Sequence, residues 1–280
     1  DPVRILRVAR FAARFAGFGF RVSHGTNALM RQMVENGEVD YLVPERVWKE
    51  TSRALAEPSP QRFFEVLRGC GALAKLFPEI ARLFGVPQPH RFHPEVDTGV
   101  HTFMVLEQAA KLSPEPEVRF AALVHDLGKG ETPAEMWPRH HGHEEVGVEL
   151  VEGMCQRLKI PNSYHDLAVQ VARYHGHFRR VSSELKASTI VSTLEGLDAF
   201  RRPARFEQFL LACEADIRGR AGMEKEPVPQ GEHFRMLFEA ANAISVAHIL
   251  EAGFEGKAIG EELHQRRVNA VKQALREIRA

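Results

Sequence analysis

Apolar residues recur at helical spacing along most of the chain, while alternating stretches that would read as strands are few. From Pro2 to Gly17, Ile5, Leu6, Val8, Phe11, Ala12 and Phe15 share one face, with proline opening the segment and glycine closing it. The same period runs through Asn27–Asn36, Pro44–Leu55 and Pro60–Gly69, each bounded by Pro, Gly or Ser. A proline-rich stretch, Phe84–Pro94 (FGVPQPHRFHP), then predicts an extended connector and a domain boundary. Helical patterns resume over His101–Leu112, Glu117–Leu127, Glu144–Leu158, Asp166–Tyr174 and Phe206–Asp216, and again over Phe234–Ser245 and Gly260–Arg279. There is no internal repeat and no low-complexity tract. The pattern predicts an all-α fold with an N-terminal helical unit over 1–90, a helical bundle over 91–220 and a helical tail over 221–280.

Composition narrows the classes available. With 44% hydrophobic residues in 280, the chain can bury a large core. No run approaches the roughly 18 apolar residues that a membrane-spanning helix needs, so a membrane partner is not expected. Cys70, Cys155 and Cys213 are far apart and form no C-x-x-C pair, which reads as reduced thiols in a cytoplasmic protein. The 37 basic and 37 acidic residues cancel, so any contact with nucleic acid must rest on local charge. Such a region exists: Asp1 to Arg31 holds six arginines against one acid, and Arg4, Arg7, Arg10 and Arg14 recur as one helical stripe. That stripe is either a solvated amphipathic face or a surface for polyanions, which guanidinium groups pair with in fork geometry. The chain opens at Asp1 with no initiating methionine, no secretory leader and a helix within a few residues, and so reads as a piece of a longer protein.

The densest chemistry lies between His101 and Asp216. VRFAALVHDLGK, Val118 to Lys129, is an apolar helix whose last turn carries His125 and Asp126. An ionised Asp beside a His is costly in so apolar a setting unless a cation compensates, and a divalent ion uses neutral imidazole and ionised carboxylate together. His101 begins an earlier amphipathic helix and Asp216 ends a later one, so both could face the pair across a bundle. Spacing alone leaves a metal site and a purely structural pair equally open. A second His-Asp, His165-Asp166, follows Pro161-Asn162 at a helix start and reads as structural.

His101, His125-Asp126 and Asp216 together resemble the H…HD…D pattern of the HD superfamily of metal-dependent phosphohydrolases, which are all-helical. EVDTGVHT, VRFAALVHDLGKGETP, WPRHHGH and CEADIRGRAG resemble, more narrowly, the HD domain attached to bacterial CCA-adding enzymes, the class II tRNA nucleotidyltransferases. DPVRILRVARFAARFAGFGF, PERVWKE and LFPEI resemble the neck and body helices of those enzymes, so the likeness covers almost the whole chain. The head domain's Gly-Gly-x-Val-Arg-Asp segment and paired-carboxylate strand are absent, and the chain looks like the portion that follows the head.

The resemblance implies roles residue by residue. Asp1 and Arg4 match the motif that reads the Watson–Crick edge of CTP or ATP, with Arg7 a further nucleotide-site residue. Without the head and its Mg²⁺ ions, this portion alone is expected to lack nucleotidyltransferase activity. His101, His125, Asp126 and Asp216 are expected to ligate one divalent ion, nickel or magnesium on the family likeness. Lys129 is either a substrate-phosphate contact or a lysine favoured at a helix C-terminus. Arg139, His140, His141 and His143 precede a helix N-terminus and read as a phosphate pocket, with His143 a proton donor or second-metal ligand. The alternative for this cluster is an exposed polar loop. His175 could join His143 around a second ion bridged by Asp126. Some relatives carry His-Asp there, whereas this chain has His175-Gly176, which favours a single ion with His175 on the substrate side. The implied substrates are phosphomonoesters and 2′,3′-cyclic phosphates on nucleotides and RNA ends, with tRNA the partner of the intact protein. Two rival readings stay open: a non-catalytic tRNA-binding module gripping through Arg266, Arg267, Lys272 and Arg276, and a nucleotidase acting on free nucleotides. Monomer and homodimer are equally compatible with the sequence.

Overall fold

A computed structural model describes residues 1–280, and it is helical throughout apart from one isolated bridge between Pro87 and Asp97. The N-terminal unit comprises α1 (Val3–Phe15), α2 (His24–Glu35), α3 (Pro44–Leu55), α4 (Gln61–Gly69) and the short α5 (Ala72–Leu76) and α6 (Pro78–Ala81). The bundle that follows comprises α7 (Thr98–Leu112), α8 (Pro116–Val124), α9 (His143–Leu158), α10 (Asn162–Arg180), α11 (Ala187–Gly196) and α12 (Pro203–Arg218). The tail is α13 (Gln230–Asn242), α14 (Ala247–Glu251) and α15 (Lys257–Arg279). No helix is long and apolar enough to cross a membrane.

Local chemistry sets many of the boundaries. Proline at the first turn opens α3, α8 and α12, where its missing N–H costs no helical bond. Ser23 caps α2 by accepting from the Thr26 N–H at 3.1 Å, and Asp97 caps α7 by accepting from Val100 at 2.9 Å. α1 packs on α3 and α4, while α8 lies at the centre of the bundle against α7, α10 and α12. The buried apolar residues form one cluster running from Ile5 to Leu275, so the N-terminal unit, the bundle and the tail share a core.

Arg119 ties the N-terminal unit to the bundle. It is buried, yet its guanidinium finds four carbonyl acceptors: Ser113 and Ala110 at the end of α7, and Leu55 and Glu57 at the end of α3. Helix C-termini leave carbonyls without intrahelical partners, and the five-donor fork of arginine can serve two such ends at once.

Two expectations for the N-terminal helix need correction. Arg10 leaves the arginine stripe, because its Nε donates to Glu50 at 2.8 Å and Nη1 lies 3.7 Å from Glu57. The compensating acids lie forty residues away in sequence, beyond the reach of a local charge count. Phe11 and Phe15, grouped with Ile5 and Leu6 on one apolar face, are instead exposed and cluster with Phe18 and Phe20. At the other end of the chain, Arg266 pairs with Glu262, and Arg267 pairs with Glu195 while stacking on Phe200 at 3.6 Å. Of the four tail cations proposed to grip RNA, Lys272 and Arg276 remain exposed and unpaired.

Candidate metal centre

The site forms where α8 breaks. The sequence pattern carries that helix to Leu127, but it ends at Val124: His125 is its C-cap, and Asp126 leaves helical geometry at φ −112°, ψ 16° before a 3-10 turn over Leu127–Glu131. The break turns both side chains inward, where they are almost fully buried. Gly128 permits the turn to lie against the start of α9, since a Cβ there would collide with the His143 carbonyl and sit 2.7 Å from the Gly147 nitrogen. Close passage of the turn brings His143 to the same pocket.

The four residues expected as ligands do converge. His101 Nε2 lies 3.1 Å from Asp216 Oδ1, His125 Nε2 lies 3.1 Å from Asp126 Oδ2, and His125 Nε2 lies 3.7 Å from Asp216 Oδ1. His101 from α7, His125 and Asp126 after α8, and Asp216 from α12 are all nearly inaccessible to solvent. The His125 Nδ1 faces the Ala122 carbonyl at 2.7 Å; a carbonyl only accepts, so Nδ1 bears hydrogen and Nε2 is directed at the carboxylates.

A second donor set adjoins the first through Asp126. Its Oδ1 lies 3.4 Å from His143 Nε2 and 3.4 Å from His175 Nε2, and those two nitrogens are 3.4 Å apart. A point equidistant from the three is about 2.0 Å from each, within the range of metal–imidazole bonds. His143 Nδ1 donates to the His140 carbonyl at 2.6 Å and His175 Nδ1 to carbonyls of Val171 and Ala172 at 3.1 Å, which again leaves Nε2 for the centre. The expectation of a single ion, drawn from Gly176, therefore meets a donor set assembled without any side chain at that position. A Cβ on Gly176 would sit 3.0 Å from Glu144 Oε1, so a carboxylate there would crowd another. His175 also lies within α10 and not at its end, because the helix continues past Tyr174 to Arg180.

The electrostatics ask for positive charge. Burial alone would push His125 down, but the carboxylates of Asp126 and Asp216 outweigh it and raise His125 to about 10. Burial likewise opposes ionisation of Asp126 and Asp216, yet neighbouring cations and hydrogen bonds hold both well below the usual carboxylate range. His175 is lowered by burial and by His125 and His143 despite Asp126 beside it, so it stays neutral. His125 Nε2, Asp126 Oδ1 and Asp216 Oδ2 are all buried without a hydrogen-bond partner. Buried polar atoms are normally satisfied. Two carboxylate oxygens and one imidazole nitrogen left this way, with the Nε2 atoms of His101, His143 and His175 turned toward the same carboxylates, fit one or more divalent cations.

Residues that sequence reasoning missed complete the surroundings. The stretch Phe84–Pro94, expected to be an extended connector, instead folds back with the residues that follow it: Gln88 N–H donates to Val96 at 2.7 Å and Thr98 N–H to Val86 at 3.0 Å. The fold-back places Glu95 Oε1 2.8 Å from His101 Nδ1, although out of line for a good hydrogen bond, and 3.0 Å from His93 Nδ1. Burial is the main influence lowering His93 to about 4. Burial raises the Glu95 pKa, but the imidazoles of His101 and His93 beside it outweigh that and hold it below the usual carboxylate range. Glu95 was legible only as a polar residue in EVDTGVHT.

The other expected residues divide. Lys129 is buried and donates to Asp126 Oδ2 at 2.6 Å and Gln88 Oε1 at 2.7 Å, so it holds the Asp126 carboxylate in place. Above the centre opens a cleft of about 530 Å³ lined by Lys129, Arg139, His140, Arg179, Arg180 and Arg220 among others. Arg139 is exposed at its rim, whereas His140 is largely buried with Nε2 2.9 Å from the Pro87 carbonyl. Arg4 and Arg7 lie on the exposed face of α1, Asp1 is exposed just ahead of it, and none of the three takes part in this site. His165 pairs with Asp166, and Asp166 also with Arg205, on the outside of α10. A larger cleft, about 640 Å³ beside Phe20 and Arg62, contains none of the donors.

The chain is similar to known proteins over almost its whole length. A family model described as "HD domain" matches residues 98–201, and one described as "Probable RNA and SrmB- binding site of polymerase A" matches residues 19–84. Asp216 lies beyond the first match. The multifunctional CCA protein of Thioalkalivibrio sulfidiphilus is 64% identical over 273 residues, covering 98% of this chain and 66% of that protein. Its counterpart from Nitrosococcus oceani is 60% identical over 275 residues, covering 98% and 67%. The chain thus spans about two thirds of the length of these curated relatives. Among solved structures, the Thermotoga maritima CCA-adding enzyme complexed with tRNA shares the fold with a TM-score of 0.59 at 18% identity, over 99% of this chain and 60% of that one. A CCA-adding enzyme with ATP gives 0.59 at 17% identity, over 99% and 60%. With such identity across nearly its whole length, the chain belongs to the multifunctional CCA protein family.

Proposed function

We propose that the site is a metal-dependent phosphohydrolase centre acting on phosphomonoesters and 2′,3′-cyclic phosphates at the ends of RNA or on nucleotides. The observation that carries this reading is the set of buried, unpartnered donor atoms around Asp126, beneath a cleft rich in arginine. His101, His125, Asp126 and Asp216 would hold one ion, and Asp126, His143 and His175 a second. A bound divalent ion polarises a phosphoryl oxygen and lowers the pKa of a coordinated water. Glu95 orients His101, the Ala122 carbonyl orients His125, and Lys129 fixes the Asp126 carboxylate. With so many imidazole donors, nickel, manganese, cobalt or zinc suits the site better than magnesium, which prefers oxygen. The purified chain, supplied with metal, should hydrolyse 2′,3′-cyclic AMP, and His125→Ala should abolish that hydrolysis. Equal turnover by both proteins overturns the assignment.

In the whole protein, this activity fits a common task with CCA addition from CTP and ATP: a cyclic phosphate must be opened before a tRNA end can be extended. The match to an RNA-binding model over residues 19–84 supports tRNA as partner, as does the exposed α1 surface. There Arg4 and Arg7 lie free of ion pairs and Arg14 sits over Phe15 at 5.6 Å. Salt-sensitive tRNA binding that weakens on Arg4→Ala and Arg7→Ala would support this; binding indifferent to both would refute it.

A further inference from the structure

Arg220 stands apart from the other cations around the centre. It follows Asp216 by four residues, just beyond the end of α12, and lines the cleft over the metal ligands. Its Nε and Nη2 are buried, and neither has a hydrogen-bond partner. Lys129, by contrast, is committed to Asp126 and Gln88, and Arg180 Nε is spent on the Gly176 carbonyl. Arg220 is half-buried, and guanidinium nitrogens buried with unused donors are expensive, because arginine cannot shed its charge.

The backbone is shaped to hold this residue in place. Gly219 closes α12 against α7, where a Cβ would sit 2.7 Å from Val105 Cα and 2.8 Å from its nitrogen. Only glycine allows that approach, and the residue after it is thereby fixed at the wall of the cleft. On the far side, Ala221 N–H donates to Glu95 Oε2 at 3.2 Å, and Glu95 is the carboxylate beside His101. Arg220 is therefore pinned between two neighbours tied to opposite sides of the metal centre, with two donors aimed at nothing the chain supplies.

We propose that Arg220 is the phosphate-binding residue of this site, its Nε and Nη2 forming the fork that takes two non-bridging oxygens of the substrate phosphoryl group. This deepens the hydrolase reading and rests on it for the identity of the substrate, but not for the binding of phosphate. Arginine suits the role because the spacing of its donors matches two phosphate oxygens. An anion in the cleft would satisfy the two orphaned donors. The exposed Arg139 and the half-buried Arg179, neither with an ion-pair partner, add a positive field at the mouth.

The test uses the metal-loaded chain and inorganic phosphate as probe, with Arg220→Gln and Arg220→Lys as variants that keep most of the stem. Calorimetry should show phosphate binding to wild type and a 10- to 100-fold weaker constant for Arg220→Gln, roughly what one charged hydrogen-bond pair supplies. Arg220→Lys should recover part of the loss, and metal content by elemental analysis should be unchanged in both. With 2′,3′-cyclic AMP, the inhibition constant of phosphate and KM should rise together. Equal phosphate affinity in wild type and Arg220→Gln overturns the proposal, as does a loss that tracks lost metal. Wild type that binds phosphate through Arg220 but turns over no phosphoester would instead sink the hydrolase reading and leave this assignment standing.

Discussion

Asp126 Oδ1 and His175 Nε2 face one another at 3.4 Å with no hydrogen available between them, since the carboxylate is ionised and the imidazole hydrogen is held on Nδ1 by α10 carbonyls. Two acceptors held this close repel unless a cation lies between them. Asp126 Oδ2 meanwhile serves His125 and Lys129, so one carboxylate addresses both donor sets. Two metal ions per chain are expected by elemental analysis, one in His175→Ala, and none in Asp126→Ala. Chelation should also lower the melting temperature of wild type, because an ion present at a hundred times its Kd stabilises the fold by about 2.7 kcal/mol.

Among the proposed ligands Glu95 meets only His101, and at the nitrogen that faces away from the proposed ion. Partners of this kind fix the tautomer and orientation of a ligand, and their loss usually costs about 10–100-fold in metal affinity. Glu95→Ala should show that drop in a competition titration against a chelator, with the helical circular dichroism signal retained. Glu95→Gln, which can still accept from Nδ1–H, should fall between the two.

How much of this was legible along the chain depends on the range of the forces involved. α3 matches its expected limits, Pro44 to Leu55, because a proline at its first position and a helical apolar stripe are both local signals. The proposed ligands His101, His125, Asp126 and Asp216 could be named because each belongs to a recognisable family motif. The second donor set was half visible. His143 and His175 were noted, but nothing local tells that the turn at Gly128 brings α9 against Asp126. The pairing of Arg10 with Glu50, the fold-back that delivers Glu95, and the four carbonyls around Arg119 all join residues distant in sequence. They follow from packing, to which a periodicity argument is blind.

Gly128 gives a direct check on that packing. A methyl group there would overlap the His143 carbonyl and crowd the Gly147 nitrogen, both backbone atoms that cannot swing aside. Gly128→Ala should push the first turn of α9 outward, cost about 1–3 kcal/mol of stability as an overpacked site does, and drop metal content toward one ion per chain. The ion held by His101, His125 and Asp216 should survive. Unchanged stoichiometry in a folded variant would show that His143 is not a ligand.

Arg119 should matter for stability and not for chemistry. Arg119→Ala leaves four carbonyls at the ends of α3 and α7 without their donor and removes a buried stem, a change expected to cost about 3 kcal/mol. Urea titration should show a lower midpoint, while kcat on 2′,3′-cyclic AMP at a temperature where the variant is folded should match wild type. Arg119→Lys, a point charge in place of a fork, cannot reach both helix ends and should recover less than half of the loss.

The buried thiols predict the alkaline limit of stability. Burial, with Glu152 nearby, pushes Cys155 up to about 12, and burial also raises Cys70. In the unfolded chain both ionise near pH 8.5. A group whose folded pKa exceeds its unfolded value contributes stability below the unfolded pKa and loses it as pH rises, since the unfolded state alone releases the proton. Stability should therefore fall above about pH 8.5, with each such thiol contributing a slope of at most about 1.4 kcal/mol per pH unit until its folded pKa is reached. Urea titrations between pH 7 and 10 measure that slope, and Cys155→Ala should make it shallower even though the variant starts from lower stability. The same burial should keep Cys155 unreactive toward thiol reagents at pH 8 until denaturant is added. Prompt labelling of the native chain at that position would place the thiol at the surface and remove the basis for the pH effect.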